Sequence, residues 1–311
     1  MQIVALAGGV GGARFLRGVR AAAPDADLTV IVNTGDDLTL YGLRICPDLD
    51  TVMYTLGGGI DDERGWGRQD ETWSARQELQ AYDVPTAWFG LGDRDLATHL
   101  VRRQMLDAGY PLSQVTAALC ERWQPGARLL PMSDDRVETH VVVELDGAQR
   151  AIHFQEWWIR HRAALPATSI VAVGAEKATP APGVLAAIDA ADVVLLPPSN
   201  PVVSIGTILQ IAGIASALES ARVVGLSPII GGAPVRGMAD ACLAAIGVET
   251  SAQAVGRHYG SDLLDGWLVD TVDEGATVPD VEVRALPLLM TDLAATTAMA
   301  RAALDLALAG V

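Results

Sequence analysis

The stretch IVALAGGVGGAR, Ile3–Arg14, joins an unbroken apolar run to a turn that holds four glycines. An apolar run without alternation is typical of a parallel strand that is buried on both of its faces. The pattern over Ala13–Ala23 is helical, so the glycines lie between a strand and the helix that follows it. This order predicts the first unit of an α/β fold, with a turn that an anionic ligand can approach closely.

Apolar strands and helical patterns continue to alternate along most of the chain, which predicts a Rossmann-like, doubly wound α/β fold with a mostly parallel sheet. The other predicted strands are Leu28–Val32, Ala87–Phe89, Ser169–Val173, Val193–Leu196 and Arg222–Leu226. The other predicted helices are Leu96–Ala108, Leu112–Trp123, Val184–Ala190, Ile205–Leu218, Met238–Ile246 and Leu293–Leu308.

The middle of the chain departs from this alternation. Val137–Leu145 and Arg150–Phe154 flank the dipeptide Asp146-Gly147, which is a signal for a tight antiparallel hairpin. A Trp-rich helix is predicted near Gln155–Arg162. We therefore expect one domain over residues 1–311, with a nucleotide-binding core over approximately 1–130 and 165–311 and an α/β insertion over approximately 131–164.

Composition and charge exclude several classes of protein. Hydrophobic residues make up 50% of the 311 residues, which is enough for a full core and excludes a disordered chain. Lys and Arg number 22 against 38 Asp and Glu, a net charge of −16 that disfavours nucleic acid and anionic membranes as partners. Three cysteines without a Cys-x-x-Cys pair argue against a disulfide framework. No basic leader or membrane-length apolar run is present, so we expect a cytoplasmic protein.

The glycine turn predicts binding of a nucleotide or another phosphate, with a purely structural tight turn as the alternative. Glycines let the backbone approach a ligand, and the first N–H groups of a helix point at an anion. The dinucleotide fingerprint is broken, because Arg14 stands where its sixth residue should be small. Asn33-Thr34-Gly35 also ends the second strand in place of a ribose-binding carboxylate. NAD is therefore disfavoured as the ligand.

Four carboxylates are expected near this turn. Asp36 and Asp37 follow the second strand at its carboxyl end, and Asp48 and Asp50 open the helical segment that comes soon after. Hard oxygen ligands in this arrangement suit Mg²⁺, which commonly takes one or two carboxylates together with substrate phosphates. The alternative is that Asp48 or Asp50 only caps that helix.

Four further segments carry candidate site residues. Arg94 precedes a helix and could reach an anion or a hydroxyl, although Asp93 beside it could be a plain N-cap. Met132, Ser133 and Asp134 would suit the edge of an aromatic ligand pocket, or form a loop of Asx turns. Pro197–Thr207 is a second candidate anion site, and Ser227–Gly232 with Arg236 could contact a nucleotide base and a phosphate. His99, Trp157 and Trp158 are expected to be structural or, for the tryptophans, subunit contacts.

Taken together in their order, these segments resemble the 2-phospho-L-lactate transferase family of coenzyme F-420 biosynthesis, most closely its actinobacterial phosphoenolpyruvate transferase branch. The matching segments are Gly8–Arg14, Asn33–Asp37, Cys46–Gly59, Leu91–Leu100, Leu129–Asp135, Pro198–Thr207 and Leu226–Asp240. The resemblance implies transfer of a phosphoenolpyruvyl group from enolpyruvyl-diphospho-5′-guanosine to Fo, 7,8-didemethyl-8-hydroxy-5-deazariboflavin. The products would be dehydro coenzyme F-420-0 and GMP, and the enzyme would be a Mg²⁺-dependent homodimer.

The resemblance also implies roles for individual residues. Asp50 and Arg94 match positions that contact Fo. Asp36, Asp37 and Asp50 stand where a metal is expected, with Asp37 and Asp50 as the catalytic pair. The full expected Fo site is Asp50, Arg94, Met132, Ser133 and Asp134. The expected nucleotide site is Gly9, Gly11, Gly12, Asn33, Ser199, Asn200, Ser204, Gly206, Ile229, Ile230, Gly231 and Arg236.

Three other functions stay open at the level of sequence. A 2-phospho-L-lactate transferase would use the lactyl analogue of the donor, and no residue that we can name encodes that choice. A non-catalytic nucleotide-binding regulator of the same fold would not need the carboxylates, Arg94 or a deazaflavin pocket. An NAD(P) oxidoreductase is disfavoured by the broken fingerprint.

Overall fold

The structure is a computed structural model that describes residues 1–85 and 88–309. Its strands, in chain order, are β1 (Gln2–Ala7), β2 (Asp27–Val32), β3 (Leu38–Leu40), β4 (Leu43–Ile45), β5 (Arg128–Pro131), β6 (Glu138–Leu145), β7 (Ala148–His153), β8 (Ala167–Val173), β9 (Val193–Leu196), β10 (Val223–Leu226), β11 (Ile229–Ile230), β12 (Ala233–Pro234), β13 (Gly266–Val269) and β14 (Glu282–Ala285).

Most helices lie between these strands. In chain order they are α1 (Gly9–Ala22), α2 (Pro47–Leu56), α3 (Ser74–Ala81), α4 (Asp93–Asp107), α5 (Leu112–Trp123), α6 (Val184–Asp189), α7 (Gly206–Leu209), α8 (Ile214–Leu218), α9 (Ala239–Ala245), α10 (Ala252–Tyr259) and α11 (Leu293–Leu308). One-turn π-helices cover Glu156–Arg160 and Pro201–Ile205, and a 3₁₀ turn covers Thr271–Asp273. No helix in the described part of the chain is both long and apolar enough to cross a bilayer.

Seven parallel strands form the central sheet, in the order β14-β13-β10-β9-β1-β2-β5. The chain builds outward from β1 to one edge, returns to the centre at β9 and then builds toward the other edge. This is the doubly wound order, and it confirms the predicted fold class. The carboxyl ends of β1 and β9 meet where the winding reverses, which is the place where sheets of this kind bind ligands.

The two faces of β1 are buried in different parts of the core. Ile3, Ala5 and Ala7 pack toward α1, α2 and α11, whereas Val4 and Leu6 pack toward the layer that holds α6 to α10. All five side chains are at most 2% exposed. Because both faces need apolar side chains, the strand sequence shows no alternation.

The middle insertion forms a separate antiparallel sheet in the order β7-β6-β8. The predicted hairpin is confirmed, since β6 pairs with β7 across Asp146 and Gly147. The strand predicted at Ser169–Val173 was wrongly placed in the central sheet, because β8 pairs antiparallel with β6. The small sheet therefore runs past the boundary expected near residue 164. The physical reason is that β8 is solvated on one side, with Val171 and Val173 about half exposed, so its apolar run does not indicate two buried faces.

Other local predictions changed in detail. The helix predicted near Gln155–Arg162 is a single π-helical turn, and the helix predicted over Ile205–Leu218 is broken near Gly213, which has a φ of +84°. Ala87 of the strand predicted at Ala87–Phe89 lies outside the described residues, while Trp88 and Phe89 form a turn and bend. The sheet also contains three strands that were not predicted, β5, β13 and β14. Of these, β5 contains Arg128 and Pro131, and β14 is only partly buried, so neither reads as a uniformly apolar run.

Candidate functional site

A cavity of about 940 Å³ opens at the carboxyl edge of the sheet, where β1 and β9 end. One end is polar and is lined by the glycine turn after β1 and by Pro198–Asn200 after β9. Another part of its wall, which we call the aromatic end, is lined by Trp66, Trp88, Phe89 and Trp158. A second cavity, of about 490 Å³, lies beside the opposite ends of β1 and β2, next to Ile3 and Leu28. The first cavity contains the predicted chemistry, so it is the candidate site.

The glycine turn is packed tightly against the loop that follows β9. Ser199 Oγ accepts a hydrogen bond from Gly8 N at 3.3 Å and donates one to Gly8 O at 2.8 Å. A Cβ on Gly11 would lie 2.7 Å from Pro198 O, and one on Gly12 would lie 2.5 Å from Ser199 Oγ. Glycine is therefore required at both positions for the two loops to form one polar end of the cavity.

Asp48 is bound directly to the start of α1. Its Oδ1 accepts a hydrogen bond from Gly9 N at 2.7 Å, and its Oδ2 accepts one from Asn33 Nδ2 at 2.9 Å. Asn33 Oδ1 in turn accepts from Gly35 N at 2.9 Å. Asp48 does not make a side-chain cap on its own helix, so the capping alternative is wrong for this residue. Its carboxylate instead ties the turns after β1 and β2 together at the polar end of the cavity.

Burial raises the pKa of Asp48 to about 6, although the hydrogen bonds from Asn33 and Gly9 act in the opposite direction. The folded chain thus binds this proton more tightly than the unfolded chain does. We expect the free energy of unfolding to fall as pH rises from about 4 to 6, by roughly 2–3 kcal/mol from this group. Burial also raises the pKa values of Asp36, Asp37 and Asp50, so their contributions have the same sign.

Urea unfolding of wild type and Asp48→Asn between pH 4 and 8 measures the contribution of Asp48. The variant should lose part of the decline in stability with rising pH. Asp25→Asn, which changes an exposed carboxylate, is the control and should keep the wild-type slope. Equal slopes for wild type and Asp48→Asn would contradict the expectation.

Asp36 and Asp37 are adjacent in sequence but have different surroundings. Asp36 lines the cavity, and its Oδ1 has no hydrogen-bond partner. Asp37 is fully buried beneath the cavity lining, where Oδ2 lies 2.9 Å from Arg44 Nε and 3.1 Å from Cys46 Sγ. Burial raises the pKa of Asp36 well above its usual value, and the nearby charge of Asp48 adds to this effect. The position of Asp37 does not favour direct contact with a ligand.

Asp50 lines the cavity on the face of α2 that meets α4. Its Oδ1 is paired with the guanidinium of Arg102, and its Oδ2 is buried without a hydrogen-bond partner. Burial raises the pKa of Asp50, and the charges of Arg102 and His99 oppose that rise. His99 is 1% exposed, as expected for a structural residue, but it also lines the cavity.

The predicted metal set of Asp36, Asp37 and Asp50 does not converge. Within residues 1–85 and 88–309, no group of three or more His, Cys, Asp or Glu side chains is arranged to hold a metal ion. Asp37 forms an ion pair with Arg44, and Asp50 forms one with Arg102 through Oδ1. Neighbouring arginines thus already neutralise two of the three carboxylates, Asp37 and Asp50.

The predicted nucleotide residues divide into those that line the cavity and those that do not. Those that line the cavity are Gly9, Gly11, Ser199, Asn200, Ser204 and Arg236. Those that are not among the described lining residues are Gly12, Asn33, Gly206, Ile229, Ile230 and Gly231. In the loop after β10, Ser227 and Pro228 line the cavity, whereas the predicted residues Ile229, Ile230 and Gly231 do not.

Most of the predicted Fo residues have other contacts. Arg94 is not among the described residues that line the cavity; its Nη1 lies 3.4 Å from Gln69 O and 3.8 Å from Asp70 Oδ2. Asp134 accepts hydrogen bonds from the backbone N and the hydroxyl of Ser113, at the start of α5. Ser133 and Met132 are buried outside the described lining as well. Of the five predicted residues, the structure places Asp50 alone in the wall.

The aromatic end of the cavity was missed by the sequence analysis. It is lined by Trp66, Trp88, Phe89 and Trp158, with Arg64 beside them. The guanidinium of Arg64 lies 5.6 Å from the ring of Trp66. Trp157 is fully buried, as expected for a core residue, whereas its neighbour Trp158 faces the cavity. One feature of the sequence could have revealed these residues, namely the tryptophans that cluster in loops near the carboxylates. Loops do not need large aromatic side chains for their own packing, so such residues indicate a binding role.

Comparisons with known proteins assign the chain to a family. The family model described as 2-phospho-L-lactate transferase CofD matches residues 3–296. A protein of Streptomyces griseus subsp. griseus named phosphoenolpyruvate transferase is 69% identical over 99% of this chain and 98% of its own length. Proteins of the same name from Thermobifida fusca and Mycolicibacterium smegmatis are 67% and 63% identical, each over 99% of this chain and 98% and 99% of their own length, respectively.

Solved structures agree on the fold. A crystal structure of a Bacillus halodurans protein superposes with a TM-score of 0.66 at 18% identity, covering 97% of this chain and 99% of that one. A second structure, described as a member of the UPF0052 family from the same organism, gives a TM-score of 0.62. At this identity the likeness concerns the fold, while the relatives of much higher identity carry the assignment. The chain belongs to the 2-phospho-L-lactate transferase CofD family.

Proposed function

We propose that this chain is a phosphoenolpyruvate transferase of coenzyme F-420 biosynthesis. It would transfer the phosphoenolpyruvyl group of enolpyruvyl-diphospho-5′-guanosine to the terminal ribityl hydroxyl of Fo and release GMP. The observation that carries the proposal is the near full-length match, at up to 69% identity, to relatives that bear this name. The cavity is consistent with it, because an anion-binding end and an aromatic end share one space.

The polar end would hold the diphosphate. The N–H groups of the first turn of α1 after Gly9, together with Asn200 and Ser204, form a cradle suited to phosphate oxygens. Arg14 and Arg236 also line the cavity and supply positive charge in a chain whose net charge is −16. The acidic protein would thus bind an anionic donor through local groups.

Mg²⁺ is proposed as the cofactor. Asp36 fits the role of ligand because it lines the cavity and its Oδ1 is buried without a hydrogen-bond partner, and Asp48 carries its charge close by. Mg²⁺ commonly takes one or two carboxylates and completes its shell with phosphates and water, so a set of three protein ligands is not needed. When bound there, Mg²⁺ would neutralise charge on the diphosphate.

Asp50 is proposed to accept the proton of the acceptor hydroxyl. The hydroxyl oxygen of Fo forms a bond to the phosphorus that bears the enolpyruvyl group, and the bond from that phosphorus to the oxygen of GMP breaks. The hydroxyl proton passes to Asp50 Oδ2, which is free of other hydrogen bonds. Trp66, Trp88 and Trp158 would contact the deazaflavin ring at the aromatic end. We also propose that the chain forms the homodimer that the family resemblance implies, and that it has the cytoplasmic location expected from its sequence.

A mass-spectrometric assay with two donors tests the proposed function. Purified protein, Fo and Mg²⁺ are mixed with enolpyruvyl-diphospho-5′-guanosine and, in parallel, with its lactyl analogue. Product from the enolpyruvyl donor is the expected result. Product from the lactyl donor alone would make the chain a 2-phospho-L-lactate transferase. No product from either, with no change in Fo fluorescence on titration, would favour the nucleotide-binding regulator.

Gly11→Ala tests the polar end of the cavity. The added Cβ would lie 2.7 Å from Pro198 O, so the glycine turn and the β9 loop must move apart. We expect KM for the donor to rise roughly tenfold or more, because small displacements of binding groups are costly, while KM for Fo changes little. Steady-state kinetics with each substrate varied in turn measures both constants.

Gly275→Ala is the matched control for Gly11→Ala. No atom lies within 4 Å of a Cβ at Gly275, and the residue does not line the cavity, so both KM values should stay at the wild-type level. An unchanged donor KM in Gly11→Ala would show that the turn does not bind the donor.

A further inference from the structure

A buried polar network joins α2 to α4 beside the cavity. Its members are Asp50 and Tyr54 of α2 and Asp95, Thr98, His99 and Arg102 of α4. Residues three or four positions apart lie on the same helix face, so each helix presents one polar stripe to the other. Four members also line the cavity: Asp50, Tyr54, Asp95 and His99. We refer to these six residues as the α2–α4 network.

Arg102 is at the inner end of the network. It is 2% exposed, and its Nη2 is paired with Asp50 Oδ1. Its Nη1 lies 2.9 Å from His99 Nδ1 and 3.3 Å from the backbone carbonyl oxygen of Arg44. Because a guanidinium only donates hydrogen bonds, Nδ1 must be the acceptor, which leaves the ring proton of neutral His99 on Nε2.

His99 and Tyr54 occupy the outer end of the network with Asp95. His99 Nε2 lies 3.2 Å from Asp95 Oδ2. The Tyr54 hydroxyl lies 2.7 Å from Asp95 Oδ1 and 2.8 Å from Thr98 Oγ1. The position of the His99 ring is thus fixed by Asp95 on one side and by Arg102 on the other.

The network is poorly suited to a purely structural role. Apolar residues of similar size often stabilise a core as well as a buried ion pair does, since burying charges is costly. Asp50 Oδ2 is also buried without a hydrogen bond, and such an atom costs stability. A buried polar atom without a hydrogen-bond partner at the wall of a cavity indicates that a bound ligand supplies the missing contact.

Resting on the transferase function proposed above, we propose that Arg102 and His99 are positioning residues for Asp50. Arg102 occupies Asp50 Oδ1 from outside the cavity lining and thereby fixes the carboxylate plane. Oδ2 is then directed at the acceptor hydroxyl of Fo, and the proton of that hydroxyl can be transferred to it. His99 holds the other arm of the guanidinium, so it acts on Asp50 through Arg102.

A double-mutant cycle tests whether Arg102 acts through Asp50. The variants are Arg102→Met, Asp50→Asn and the two combined, assayed with Fo and the enolpyruvyl donor at matched folded fractions. We expect Arg102→Met to lower kcat roughly 10- to 100-fold with little change in the donor KM. In the Asp50→Asn background the same change should alter kcat less than about twofold, because the group it positions is already gone.

His99 supplies a second test in case Arg102→Met folds poorly. His99→Leu removes the acceptor for Arg102 and should lower kcat roughly tenfold. His99→Gln restores an acceptor and should return kcat to within about threefold of wild type. Arg103→Met, on the same helix, removes an exposed pair with Asp107 and should leave kcat unchanged.

The outcomes separate this inference from the proposed function. Losses that multiply in the Arg102 and Asp50 double variant, or equal losses in His99→Leu and His99→Gln, would show a structural role and overturn the inference while the transferase function stands. Wild type that forms no product from Fo would overturn the proposed function and, with it, the inference.

Discussion

Asp50→Asn is expected to lower kcat by roughly 100-fold or more, which is the usual loss when a general base is removed. Asn has the shape of Asp and its Oδ1 can still accept a hydrogen bond from Arg102. What it loses is the ability of Oδ2 to take the hydroxyl proton of Fo, and the charge that balances Arg102. The change should therefore affect the chemical step more than the donor KM.

Single-turnover kinetics at saturating Fo, donor and Mg²⁺ measures this loss directly. Asp107→Asn is the control, because that carboxylate lies at the end of the same helix as Arg102 with its side chain 55% exposed. A kcat within about twofold of wild type in Asp50→Asn would exclude Asp50 from proton transfer. Such a result would also leave the α2–α4 network without its proposed use.

Trp267→Ala should reduce the free energy of unfolding by about 3–5 kcal/mol, the usual cost of truncating a buried aromatic residue. Trp267 on β13 is fully buried, and its Nε1 donates a hydrogen bond to Ala252 O at 3.0 Å. Gly225 and Gly256 leave room for the ring, since a Cβ on either would lie within 3 Å of it. Alanine would leave a cavity there and an unpaired carbonyl.

Trp267→Phe separates the two parts of this cost. Phenylalanine keeps most of the packing but loses the hydrogen bond to Ala252, so its loss should be smaller, roughly 1–3 kcal/mol. Trp66→Ala is the control for size, because Trp66 is 43% exposed and should contribute far less to stability. Urea unfolding of the three variants measures the differences. A loss below about 1 kcal/mol in Trp267→Ala would contradict the burial argument.

The polar end of the site was largely predictable. Gly11, Ser199 and Asn200 follow buried strands, and the carboxyl ends of parallel strands meet at one edge of a sheet. Once the strand pattern was recognised, these residues had to lie near one another. The loop after β10 shows the limit of such reasoning, because Ser227 and Pro228 reach the cavity while Ile229 is turned into the core.

The division of the carboxylates could not be predicted. Asp36 and Asp37 are neighbours in sequence, and both were expected at the metal. In the structure, Asp37 forms an ion pair with Arg44, whereas Asp36 lines the cavity. Which of two adjacent side chains meets a cation depends on partners brought in by other elements, and local pattern carries no information about them.

Local sequence patterns are sufficient to predict the layered α/β fold, the glycine turn and the edge of the sheet where the ligand would bind. These follow from local causes, since burial on both faces makes β1 uniformly apolar and the turn needs residues without a Cβ. The tertiary structure decided the electrostatics of the site. Arg102 lies 52 residues from Asp50 along the chain, and only the packing of α4 on α2 brings them into contact. Trp66 and Trp158 likewise meet across one cavity because separate loops are folded around it.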